Sequence, residues 1–118
     1  MTGVQTCALP ILRPGIVSGD VYSAWAQAVY RELGRRHERH HCGYTVGIGF
    51  PPSWVGGSRV TGLARDGKLE ILPGMVFHIL SWILGDKPAE YCVSDTVLVT
   101  RDGCELLTTF EREPIVRF

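Results

Sequence analysis

Two apolar segments separated by a turn constrain this chain most. Met75–Leu84, MVFHILSWIL, is apolar apart from His78 and Ser81, and Tyr91–Thr100, YCVSDTVLVT, is rich in β-branched residues. Gly85-Asp86-Lys87-Pro88 between them has turn chemistry. β-Branched side chains suit an extended, partly buried backbone, so the second segment reads as a strand. The first is a strand buried on both faces or a short helix, because periodicity does not separate the two in so short an apolar run. Asp102-Gly103 is then a hairpin signal, with Cys104–Thr109 as the returning strand. In the tail Glu111–Phe118, Pro114 argues for an edge position, since proline donates nothing to a ladder.

Upstream the period changes. Val21, Ala24, Trp25, Ala28, Val29 and Leu33 recur at helical spacing, which predicts an amphipathic helix over about 19–34. Ser18 is the candidate N-cap, Asp20 an acidic group suited to the first turn, and Gly34 the C-terminal stop. Arg13-Pro14-Gly15 and Pro73-Gly74 are turn signals. The segment 35–41, RRHERHH, carries His37, His40 and His41. Metal binding or proton transfer is one reading of it; a solvated loop is the favoured one, because the run is polar and basic throughout. Cys42–Phe50, CGYTVGIGF, alternates large and small residues, placing Tyr44, Val46 and Ile48 on one face of a strand. Gly43, Gly47 and Gly49 leave the other face bare, as where a backbone or ligand comes close. Pro51-Pro52 ends that strand, and Trp54 follows in a glycine-containing loop. One helix followed by mostly antiparallel strands makes the fold class α+β.

The 118 residues balance 12 Lys+Arg against 12 Asp+Glu, which excludes general nucleic-acid binding through excess positive charge. The longest stretch without Asp, Glu, Lys or Arg, 40–58, is broken by glycines and by Pro51-Pro52 and is no membrane span. Cys7, Cys42, Cys92 and Cys104 form no CxxC pair, against a zinc finger or a dense disulfide framework. Cys42, Cys92 and Cys104 are expected to be small core residues. The composition fits an intracellular enzyme, and a cytoplasmic location is expected. Residues 1–11, MTGVQTCALPI, resemble codon for codon the conceptual translation of a sequencing-adapter oligonucleotide. They are expected to be an artefact to set aside from the fold, leaving 12–118 as the native part.

Five short motifs in fixed order carry a family resemblance: PGI-x2-GDV at the helix start, CGYTVGIGF after it, then LPGMVF, VSDTVLVT and DGCELLT. Together they resemble the C-terminal half of the pita-bread superfamily of methionine aminopeptidase, aminopeptidase P, prolidase and creatinase. The resemblance implies that 12–118 is about half of a larger catalytic domain, with the other half upstream and a homodimeric parent. Metallopeptidases of that superfamily hold two metal ions with two Asp, one His and two Glu. Both Asp would lie upstream of this chain. Tyr44 stands at the His position, Leu80 at the first Glu and Ser94 at the second. Tyrosine binds a divalent metal weakly, serine is a poor ligand at neutral pH, and leucine offers no donor. The resemblance therefore implies a metal-free branch with no cofactor.

HHCGYTVGIGFPPSW and GMVFHIL are most similar to the ectoine-hydrolase-like branch, which, like creatinase, opens C–N bonds without metal. If Leu80 points into a site, Val76 and His78 share its face, since residues two apart on a strand do. His78 is then a proton carrier or substrate contact; the alternative is a buried histidine satisfied by backbone. His40, four residues before Tyr44, matches a substrate-side histidine of aminopeptidase P-like relatives; the alternative is a solvated loop. Tyr44 and Ser94 are candidate substrate contacts, and Trp54 a candidate cover for the pocket mouth. Pro51 takes the place of a second substrate-side histidine. The expected function is metal-independent C–N hydrolysis of a small zwitterionic substrate. The alternatives are a metal-dependent Xaa-Pro peptidase acting on dipeptide-like substrates, and a non-catalytic pita-bread binding protein. The nucleophile is expected upstream. The fragment alone is expected to be inactive and to expose an apolar face where the other half packs.

Overall fold

A computed structural model describes residues 9–47, 62–83, 91–111 and 116–117. One helix, α1 (Ser18–Leu33), lies against a five-stranded antiparallel sheet of β1 (His41–Thr45), β2 (Gly62–Ala64), β3 (Val76–Ile83), β4 (Tyr91–Val99) and β5 (Cys104–Leu106). The strand order is β2-β1-β3-β4-β5. This is the α+β, partial pita-bread arrangement that the periodicities and motifs predict. Among the described residues no helix is long and apolar enough to cross a membrane.

The α1 stripe is the predicted one. Val21, Tyr22, Trp25, Ala28 and Val29 are buried, as residues one helical turn apart on one face should be. Gly34 ends the helix in the left-handed conformation at φ 66°, its N–H donating to the Tyr30 carbonyl, a geometry glycine adopts without a Cβ clash. The start differs from expectation. Val17 occupies the N-cap position with no side-chain cap, and Ser18 is already helical and fully buried. The first amide groups are satisfied instead by another part of the chain: Ser18 N–H donates to the Leu69 carbonyl at 2.9 Å and Gly19 N–H to the Gly67 carbonyl at 3.0 Å. A backbone segment thus does the work of a capping side chain.

The core lies between α1 and one face of the sheet. Trp25, Phe77, Leu12, Leu63, Ile71, Ile79, Ile83 and Val97 are its largest fully buried side chains. The Trp25 indole N–H donates to Ser81 Oγ at 3.0 Å, which ties helix to strand inside the core. Leu9 and Ile11, in a short 3-10 turn, also pack against this core, and the Cys104 thiol donates to the Leu9 carbonyl at 3.2 Å.

The first of the two apolar segments is a strand, 76–83, but it is not buried on both faces. Phe77, Ile79, Ser81 and Ile83 are almost completely inaccessible, whereas on the other face Leu80 is buried, Val76 and His78 are partly buried, and Trp82 is exposed. Cys92 is also exposed rather than a core residue, because it lies opposite Trp82 on that second face. Within the described residues the strand expected over 42–50 is confined to 41–45, and Val46 is 45% exposed. The short β2, flanked by glycine, has no alternation to announce it. Residues 85–88 and Pro114 lie outside the described residues.

Candidate functional site

The sheet face turned away from α1 carries the residues singled out in the sequence. Cross-strand register places Tyr44 opposite His78, His78 opposite Thr96, and Leu80 opposite Ser94. Directly opposed residues on antiparallel strands point to the same side. Tyr44, His78, Leu80, Ser94 and Thr96 therefore form one contiguous patch over β1, β3 and β4. The Tyr44 and His78 rings lie 5.1 Å apart, centroid to centroid, at 35°. Thr96 was missed in the sequence; its placement two residues after Ser94 was the available signal.

A third ring enters through an irregularity in β1. His41 pairs with Ala64 and Tyr44 with Gly62, so β1 advances three residues while β2 advances two. Such a bulge interrupts the alternation of side chains. Cys42 consequently turns into the core, with its thiol donating to the Leu63 carbonyl. His41 lands beside Tyr44, ring centroids 5.9 Å apart and edge to face at 73°. Glycine is required next to the bulge: a Cβ on Gly43 would sit 2.7 Å from the His78 carbonyl oxygen and 3.2 Å from Ile79 Cα. The close backbone approach expected of this segment is therefore found at Gly43, while a Cβ on Gly47 would meet none of the described residues within 4 Å.

His40 is exposed, in the connection before β1, and makes no ring contact with Tyr44 or His78. The structure brings His41 rather than His40 to the patch. The histidine segment as a whole is also not a free loop. The Tyr22 hydroxyl donates to the Arg39 carbonyl at 2.7 Å, the Arg39 guanidinium lies 4.8 Å from the Trp82 ring, and a His37 ring nitrogen is 3.1 Å from the Trp82 carbonyl oxygen. Trp54 and Pro51 lie outside the described residues.

Burial sets the protonation of both imidazoles. Desolvation lowers the His78 pKa below the ordinary histidine value, partly opposed by the Asp95 carboxylate. Desolvation also lowers that of His41, reinforced by Arg39 and His40. Both rings are neutral near pH 7, each with one nitrogen able to accept a proton or hydrogen bond. His41 Nδ1 is fully buried and has no hydrogen-bond partner among the described residues. Asp95 does not join the patch. It is buried opposite Ile79 on the core side of β4, and the Thr108 hydroxyl donates to its Oδ1 at 2.9 Å.

The donor set of the patch is two imidazoles, a phenol and two hydroxyls, with Leu80 among them; the same sheet face also carries Cys92, opposite Trp82, and the exposed Glu105 of β5, opposite Leu98. A pair of hard divalent ions asks for several carboxylate oxygens. No cluster of three or more His, Cys, Asp or Glu suited to a metal occurs among the described residues. Tyr44, Leu80 and Ser94, as the described residues of this face, therefore do not fit the metal site that the superfamily resemblance would place here. A separate open groove of about 710 Å³ runs beside α1, lined by Tyr22, Tyr30, Arg31, Arg36 and Arg65 among others, and holds none of the patch residues.

Comparison with known proteins gives this face a context. The family model described as metallopeptidase family M24 matches residues 2–101. The chain is 32% identical over 119 aligned residues to ectoine hydrolase of Halomonas elongata, covering 99% of this chain and 28% of that protein. It is 32% identical over 109 residues to an uncharacterised hydrolase/peptidase of Sinorhizobium fredii, covering 90% of this chain and 25% of that one. The chain thus spans little more than a quarter of the curated relatives it matches. Among solved structures, Xaa-Pro dipeptidase from Bacillus anthracis superposes with a TM-score of 0.78 at 18% identity, over 97% of this chain and 30% of that one. Prolidase from Pyrococcus furiosus superposes at 0.72 with 24% identity, over 92% and 30%. The helix-and-sheet arrangement and the family match over most of its length agree: this chain belongs to metallopeptidase family M24.

Proposed function

We propose that this chain is one wall of a metal-independent hydrolase that opens a C–N bond in a small zwitterionic, amidine-like molecule. The observation that carries the reading is the patch itself: Tyr44, His78, Ser94 and Leu80 meet on one sheet face with no carboxylate among them. The 32% identity to ectoine hydrolase supports the substrate class. In hydrolysis a water oxygen adds to the amidine carbon, the C–N bond breaks, and the departing nitrogen takes up a proton. His78, neutral because burial lowers its pKa, is suited to receive the water proton and pass it to that nitrogen. The Tyr44 phenol and Ser94 hydroxyl are hydrogen-bond donors for a substrate carboxylate, and Leu80 supplies apolar surface where a metal-binding carboxylate would otherwise stand. The group that positions the water comes from outside this chain, from the remainder of a larger catalytic domain in a homodimeric parent.

The test is turnover by the complete protein, assayed with ectoine and with the dipeptide Ala-Pro, with and without EDTA, alongside metal analysis. Ring opening of ectoine that survives chelation is the expected result. Stoichiometric manganese, cobalt or zinc, with activity lost on chelation, overturns the metal-free reading. Cleavage of Ala-Pro in place of ectoine overturns the substrate class. The chain alone is expected to turn over neither compound.

A further inference from the structure

We infer that His41, and not its neighbour His40, is a substrate-contacting residue of this site, and that its Nδ1 is the atom that makes the contact with a polar N–H or O–H group of a small zwitterionic ligand. The inference rests on the proposed hydrolase reading and extends it to a residue that alternation along the strand would not select. Strict alternation from Tyr44 makes Cys42 its face-mate and sends His41 to the core. The three-for-two step between His41–Tyr44 and Gly62–Ala64 reverses this, turning His41 onto the face of Tyr44 and His78.

Two further observations point the same way. The His41 and Tyr44 rings meet edge to face, which restrains the direction of the imidazole. Nδ1 is then enclosed but has no hydrogen-bond partner among the described residues. A buried polar atom without a partner is unfavourable unless something supplies one. The His41 ring lies beside Tyr44, whose ring in turn lies beside His78, so a ligand entering among these rings would supply the partner. His40, one residue earlier, precedes the strand and is exposed. Because the His41 ring is neutral, Nδ1 can accept a hydrogen bond in one tautomer.

Steady-state kinetics of the complete protein on ectoine test this with four forms: wild type, His41→Asn, His41→Phe and His40→Phe. Asparagine keeps a polar atom near the Nδ1 position; phenylalanine keeps the ring packing against Tyr44 but removes the nitrogens. His41→Phe is expected to raise KM at least tenfold with a Tm within a few degrees of wild type, His41→Asn to bring KM back to within about threefold, and His40→Phe to change KM less than His41→Phe does. A His41→Phe enzyme with wild-type KM, or a larger effect at His40, overturns the inference. A KM rise in His41→Phe that His41→Asn fails to reduce also overturns it, since packing alone then explains the loss. If wild type cleaves Ala-Pro in place of ectoine, the hydrolase reading fails on substrate class; the same ratios measured on Ala-Pro then decide the His41 contact separately.

Discussion

The two faces of β3 are built from alternate residues of one eight-residue strand and have opposite characters. Phe77, Ile79, Ser81 and Ile83 face α1 and are almost wholly inaccessible; Val76, His78, Leu80 and Trp82 grade from buried to exposed. The first face is closed within the described residues, even for its polar member, since the Ser81 hydroxyl accepts the Trp25 indole N–H. The second leaves polar capacity open among the described residues, across the bulge at His41 Nδ1. A sheet whose core face is satisfied and whose other face is only half covered separates the two tasks: one side holds the fold together, and the other is free to meet a ligand or another part of a protein.

Substitutions on the closed face should break the fold, and those on the open face should leave it standing. Trp25→Ala is expected to cost most, about 3–5 kcal/mol for the lost side chain and the cavity left behind, read by guanidinium denaturation. Trp25→Phe should cost about 1–3 kcal/mol, largely by leaving the Ser81 hydroxyl without its donor. Gly43→Ala lies at the junction of the two faces, and the new Cβ would press on the β3 backbone. Its cost should be about 1–3 kcal/mol, with the indole and imidazole NMR signals of both faces shifted. If Trp82→Ala on the open face, expected to cost under about 1 kcal/mol, proved as damaging as Trp25→Ala, the contrast between the faces would be wrong.

Acid sharpens the same comparison. The pKa values of His41 and His78 lie below the ordinary 6.5 in the folded protein, so the unfolded chain binds protons more readily at these positions. Their neutral forms therefore contribute stability that is complete above pH 6.5 and declines as pH falls from there through the folded-state values. Replacing either by glutamine should flatten stability against pH in that window, whereas Ser81→Ala should not. The smallest effect is chemical. Cys92 on the open face should react readily with a thiol reagent in the native protein, while Cys42, whose pKa burial pushes up to about 12, should react only on unfolding.

Much of this was legible in the residues. The 3.6-residue period of Val21, Trp25, Ala28 and Val29 located α1 to within a residue, and Gly34 marked its end. The β-branched content of Tyr91–Thr100 and the Asp102-Gly103 turn located β4 and β5. The family blocks predicted that Tyr44, His78, Leu80 and Ser94 would meet, and cross-strand register puts them together. The misses share a cause. Ser18 looked like a cap because capping is usually local, yet here the helix start is satisfied by the carbonyls of Gly67 and Leu69, far along the chain. β3 looked buried on both sides because its residues are apolar throughout, and composition does not say which apolar residue finds a cover. His40 was singled out by its offset of four from Tyr44 in the family resemblance, and an offset along the chain does not register the bulge that brings His41 beside Tyr44.

By itself the sequence determined the kinds of element, their order, the family, and which residue types stand where metal-binding groups would be expected. Local torsional preference and side-chain period suffice for the first two, and residue identity carries the others. Only the tertiary structure decided the bulge in β1, and with it the exchange that sends Cys42 inward and His41 toward Tyr44. A register shift arises from how β1 meets β2 and β3, strands about 20 and 35 residues away along the chain, and no local pattern in the amino acids of β1 encodes where that pairing slips.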